Sequence, residues 1–175
     1  MLLCLATSAV LLASALVETV ALAGPPPTAA APAVSVPAQQ LAPAKRAARI
    51  QQRVLALVNK NRRRGGCRNM TLDHRLSVAA FGHAADMARR GYFAHRSRNG
   101  ENVGDRVHDA GYRWSRYGEN IARGQGTARS VVNGWMHSRP HRANIMNCRL
   151  HEMGLGRAFD RRGTPYWVQD FATSR

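Results

Sequence analysis

The chain has 175 residues, 45% of them apolar, and carries 26 Lys and Arg against 10 Asp and Glu, a formal net charge of +16. That length and apolar content exclude a wholly disordered polymer and suit one compact domain with a sizeable core. The basic excess favours an anionic cell envelope or a lipid ligand as partner, and the lack of aromatic residues interleaved among the bases argues against a specific nucleic-acid reader.

In chain order, Leu2 to Val17 form an apolar run too short to span a bilayer comfortably, and Ala21-Leu22-Ala23 before Gly24 fits a signal-peptidase site. Residues 1–23 therefore read as a signal peptide, leaving no transmembrane span in the mature chain, although no Lys or Arg precedes the apolar run. Residues 24–44 are rich in Pro and Ala, uncharged and without apolar periodicity, as expected of a flexible linker. A single domain is expected over 45–175, acting as a monomer.

Within it, Ile50, Val54, Leu57 and Val58 recur at helical spacing before Gly65-Gly66, predicting an amphipathic helix from Ala47 to Arg64. Asp73 is placed to cap a second helix with Leu76, Ala79, Ala80, His83, Ala84 and Met87 on its inner face and Gly91 at its end. A short third helix holds Val103, Val107 and Ala110, with Glu101 as a capping or dipole carboxylate. Thr127 caps a fourth, bearing Val131, Val132 and Trp135, and Ser138 caps a short helix with Pro140 in its first turn and His141 near its amino terminus. Glu152 to Phe159 and Tyr166 to Phe171 flank Asp160-Arg161-Arg162-Gly163, a hairpin signal. Helices followed by strands, without regular alternation, indicate an α+β fold.

Cys67 and Cys148 are the only cysteines left after the leader, and an exported protein meets oxidising conditions, so a disulfide between them is the default. Among polar residues, Glu119 in Tyr117-Gly118-Glu119-Asn120-Ile121-Ala122, His95 after Phe93-Ala94, and His141 in His141-Arg142-Ala143-Asn144 stand in distinctive frames. One carboxylate and two imidazoles are what a cleft for metal or proton chemistry is built from.

The order and spacing of these segments, with Asp105-Arg106, Met153-Gly154-Leu155-Gly156 and Tyr166-Trp167-Val168-Gln169-Asp170-Phe171, resemble the bacterial, extracellular SCP-like branch of the CAP superfamily (cysteine-rich secretory proteins, antigen 5 and pathogenesis-related 1 proteins) from about Ile50 to Phe171. The resemblance implies a three-layer α-β-α sandwich around a short antiparallel sheet. It also implies a cleft whose family tetrad of two His and two Glu holds a divalent metal such as zinc in some members. Here His95, Glu119 and His141 match three members of that tetrad, and Ser138 stands where the second Glu falls.

Those three residues form a candidate zinc set with one open position, or else a hydrogen-bonded polar cluster that fixes three loops over the sheet. Ser138 is a helix cap rather than a nucleophile, since no Gly-x-Ser-x-Gly elbow occurs. Two functions follow from the resemblance: a secreted, nonenzymatic binding module for lipid or envelope ligands, or a metal-assisted hydrolase acting on cell-wall or peptide material. The replaced carboxylate favours binding, and the expected location is extracellular, with cell-wall association.

Overall fold

The computed structural model describes residues 38–175, with side chains from residue 44 on. The expected signal peptide and the linker as far as residue 37 lie outside the described residues. The elements are α1 (Ala38–Arg64), β1 (Thr71–Leu72), α2 (His74–Arg90), α3 (Val103–Asp109), β2 (Trp114–Arg123), α4 (Ala128–His137), α5 (Arg139–Ile145), β3 (Glu152–Phe159) and β4 (Pro165–Ser174). No described helix is long and apolar enough to cross a membrane.

Local chemistry accounts for most boundaries. Asp73 accepts hydrogen bonds from the backbone N–H groups of Arg75 and Leu76 at the start of α2, and Gly91 closes the helix at φ 66°, a left-handed conformation open to glycine at little cost. At α3 the cap is a reciprocal box between Asn102 and Asp105 rather than the carboxylate of Glu101. Thr127 and Ser130 form the corresponding box on α4. Ser138 occupies the cap position of α5 as expected but makes no side-chain cap hydrogen bond. α1 starts at Ala38, upstream of the helix read from apolar spacing, so the end of the predicted linker is helical. Ala38, Gln39, Gln40 and Leu41 are good helix formers, and the absence of apolar periodicity there does not oppose a helix that needs no partner face.

The four strands lie in the order β1-β3-β4-β2, with β3, β4 and β2 antiparallel and β1 added parallel to β3. Strict alternation sorts β4 between two cores. Trp167 and Phe171 point towards Val54, Val58, Val132, Trp135 and Ile145 of α1, α4 and α5. Tyr166 and Val168 point the other way, to Ala80, Ala84 and Met87 of α2. A Cβ at Gly154 would strike the backbone of Leu76 and Ser77, and one at Gly156 the backbone of Ala80 and Phe81. The Gly154-Leu155-Gly156 alternation thus lets α2 lie directly on β3 while Met153 and Leu155 fill the opposite core. The result is a three-layer α+β sandwich, with α1, α4 and α5 on one face and α2 and α3 on the other.

Two covalent and polar ties close the first of these layers. Cys67 and Cys148 form a disulfide with a Cα separation of 5.0 Å across 81 residues. A loop of that length stabilises by about 4 kcal/mol in the chain-entropy account. Beside it Arg62, fully buried, donates to the carbonyls of Arg68, Ile145, Asn147 and Leu150 at 2.8–2.9 Å. The basic run Arg62-Arg63-Arg64 is therefore split: one guanidinium clamps the fold and two are exposed.

Candidate functional site

β2 is an edge strand, and the pleat turns its consecutive side chains to opposite faces. Glu119 points to the α2/α3 side, opposite Asp170 on β4, whereas Asn120 points to the α4/α5 side, opposite Gln169. Two half-sites thus meet at one sheet edge.

On the first side, Glu119 is buried and both its oxygens are engaged. His95 Nδ1 donates to Oε1 at 2.7 Å, and Arg106 donates to Oε2 at 2.5 Å. Arg106, itself buried, also donates to the carbonyls of His95 and Glu101 and to the Ser97 hydroxyl, so it holds the loop carrying His95 as well as the carboxylate. His83 fixes the same loop from α2, its Nε2 donating to Ala94 O at 2.9 Å, and burial lowers its pKa from the ordinary 6.5. Behind Glu119, Asp170 is fully buried and neither of its oxygens has a hydrogen-bond partner. Burial, reinforced by the neighbouring Glu119, pushes the Asp170 carboxyl well above the usual carboxylate range and favours its protonated form.

On the second side an amide network hangs α5 on β2. Asn144 donates to Glu119 O and Asn120 Oδ1, both at 2.9 Å, and Asn120 donates to His141 O at 3.1 Å. This sets His141 against β2, where burial, helped by the nearby His95, lowers its imidazole pKa from 6.5. His141 and Ser138 line one end of a groove of about 390 Å³ whose walls are Phe93, Ile121, Ala122, Val131 and Trp135, with Arg123 also at its lip.

The four predicted site residues are therefore divided. His95 and Glu119 are in contact, while His141 and Ser138 share the adjoining groove, which neither His95 nor Glu119 lines. Among the described residues no three His, Cys, Asp or Glu side chains are arranged to hold a metal ion. The chemistry of the donors explains why: Glu119 has one oxygen held by Arg106 and the other by His95, so it is not a free ligand, and His141 lies in the adjoining groove. As placed, these residues fit a closed charge network rather than a metal.

Arg106 and Asp170 are the members that sequence reasoning missed as site residues. Strand alternation could have placed Asp170 beside Glu119 only if β2 had been recognised as the partner of β4, and nothing in the local sequence marks Arg106 as buried. His74, His108, His137 and His151 stay outside the site; His137 is exposed and bonds Asn133 O of its own helix.

The family model "CAP: Cysteine-rich secretory protein family" matches residues 55–171. The uncharacterized protein YkwD of Bacillus subtilis (strain 168) is 34% identical over 121 residues, covering 69% of this chain and 46% of its own length. The uncharacterized membrane protein YlbC of the same organism is 31% identical over 121 residues, covering 69% of this chain and 34% of its own. The chain thus spans less than half of either relative. Among solved structures, an extracellular protein containing an SCP domain from Bacillus anthracis str. Ames superposes with a TM-score of 0.67 at 25% identity, over 81% of this chain and 45% of that one. An outer surface protein of Borrelia burgdorferi shares the fold, with a TM-score of 0.65 at 19% identity, over 70% of this chain and 90% of that one.

Proposed function

Because this chain belongs to the cysteine-rich secretory protein (CAP) family, we propose that it is a secreted binding module acting at or outside the cell envelope, with a lipid or other envelope amphiphile as ligand and no catalytic step. The observation that carries this reading is the groove across the β2 edge. Its walls are apolar, a cationic Arg123 and a polar Ser138–His141 end flank it, and Phe93 beside it is exposed. Such a slot suits an acyl or polycyclic body with an anionic or polar head. Extracellular action is supported by the Bacillus anthracis relative, whose description places it outside the cell. The hydrolase reading is disfavoured because Glu119, the carboxylate it would use, is tied to Arg106 and His95.

Gly134 provides the test, since it lines the groove and nothing lies within 4 Å of a Cβ built on it. Gly134→Leu adds an apolar side chain to the groove lining from a position whose Cβ meets open space, and improves helix propensity on α4. Titration with the fluorescent fatty acid cis-parinaric acid should saturate with the unsubstituted protein and weaken at least tenfold in Gly134→Leu at an unchanged melting temperature. Equal affinity in both proteins, or no saturable binding, would remove the groove as the ligand site.

A further inference from the structure

The basic residues that look scattered along the chain are segregated in the fold. No Asp or Glu occurs between Lys45 and Leu72 or between Asn120 and His151, the two stretches that build the α1/α4/α5 layer. The acids after the leader lie in α2, α3, the loops beside them, the strands and the β3–β4 turn, and Asp73, Asp86 and Glu119 are in ion pairs with arginines. One outer layer therefore carries cations with no local anion to neutralise them.

On α1 these cations form a line. At 100° per residue, Lys45, Arg49, Arg53, Lys60 and Arg64 fall within one stripe opposite the buried Val54 and Val58, extending about 28 Å along the helix at 1.5 Å per residue. All five are exposed. Arg62 and the disulfide tie the end of this helix to the segment that follows α5, and a groove of about 430 Å³ on α4 and α5 is lined by His137, Arg139 and Arg142 together with Met136, Ala143 and Met146. A second basic surface thus lies on the same layer.

We propose that this layer docks a linear phosphodiester polyanion of the envelope, one without nucleobases, which lies along α1 and reaches the α5 arginines. Arginine pairs with phosphate oxygens through its planar fork, and cations spaced along one line match an anion repeated along a polymer. Two other polyanions fit less well. The exposed large apolar side chains, Val78, Phe81, Phe93, Tyr117 and Phe159, all lie outside α1, α4 and α5. Among the described residues, the layer therefore exposes no large aromatic side chain on which bases could stack and no large apolar one to enter a bilayer.

This inference rests on the reading of the protein as an envelope-binding module, and its residues differ from those lining the amphiphile groove, which opens on the same layer. The test uses the full chain and a triple variant, Arg49→Ser, Arg53→Ser and Lys60→Ser, against a control of equal charge loss elsewhere, Arg113→Ser, Arg116→Ser and Arg161→Ser. Binding to long-chain inorganic polyphosphate is titrated over a range of salt. The stripe variant should lose about tenfold or more in affinity and show a shallower salt dependence, by roughly 0.7 in log–log slope for each contact removed, while the control stays within about twofold of the parent. Equal losses in both variants would reduce the effect to net charge and overturn the proposal. So would tighter binding to single-stranded oligo-dT, or to phosphatidylglycerol vesicles, than to polyphosphate. Gly134→Leu should leave polyphosphate binding intact, and the stripe variant should leave cis-parinaric acid binding intact. A failed groove and a failed stripe are thereby told apart.

Discussion

The two helical layers each bury an arginine, and they satisfy it in different ways. In the acid-free α1/α4/α5 layer, Arg62 has no carboxylate to meet and is held entirely by backbone carbonyls of the segment around the disulfide. In the α2/α3 layer, Arg106 meets a buried carboxylate, Glu119, and that carboxylate is shared with an exposed imidazole. A buried cation needs most of its donors met in either setting, and Arg106 leaves only its Nε without a partner. Neutral carbonyls make it a clamp indifferent to the charge of its partners, whereas a carboxylate makes it part of a network whose charge can change. The first arrangement serves the fold and leaves the surface cations free. The second places a solvent-reaching imidazole at the sheet edge.

The largest effect that could break this contrast is expected at Arg106. Arg106→Met leaves Glu119 buried beside Asp170 without its cation, and the loss in urea unfolding at pH 7 should be about 4 kcal/mol. Acid, which neutralises carboxylates, should shrink that loss. The double variant Arg106→Met with Glu119→Gln should recover more than half of it; strictly additive losses would show that the pair is not coupled. Arg62→Met comes next, at about 3 kcal/mol, because it strands four backbone carbonyls, two of them on the buried Ile145 and Leu150. Its loss should be the same at pH 4 and pH 8, and relief in acid like that of Arg106→Met would erase the distinction between the layers.

The smallest effect involves one histidine from each layer. The pKa values of His83 and His141 are both lowered from 6.5, chiefly by burial. Each folded ring then binds fewer protons than its unfolded counterpart, so its contribution to stability is complete above about pH 6.5 and declines as the pH falls below it. The melting temperature should drop on that acid limb. His141→Gln should flatten the drop by removing one of the two titrations, and an unchanged slope would assign the effect to His83 alone.

The helices were legible because their signals are local. The inner face of α2, its Asp73 cap and its Gly91 stop can each be read within a single turn, and the buried residues of the helix include the six predicted for its inner face. The β3–β4 hairpin was legible for the same reason: Asp160 accepts from the backbone N–H groups of Arg162 and Thr164, as its turn position suggests. β2 was not read as a strand. Its Gly118-Glu119-Asn120 core is rich in polar and small residues, and those side chains are acceptable in a strand only because α3 and α5 supply Arg106 and Asn144 to meet them. Glu101 misled for a related reason, since Asn102 next to it is the better cap by side-chain reach.

The sequence by itself determined the α+β class, the helix faces and caps, the excess of positive charge and a cysteine pair available for bridging, because each depends on residue type and near-neighbour spacing. Only the tertiary structure decided that Arg106 and His95 share Glu119, that Asp170 lies buried behind it, and that His141 belongs to the groove next door. Those outcomes depend on the pairing of β2 with β4, which turns Glu119 and Asp170 to one side of the sheet and Asn120 to the other. The folding of two acid-free stretches into one layer likewise gathered bases dispersed along the chain onto one layer, where their fields add through space.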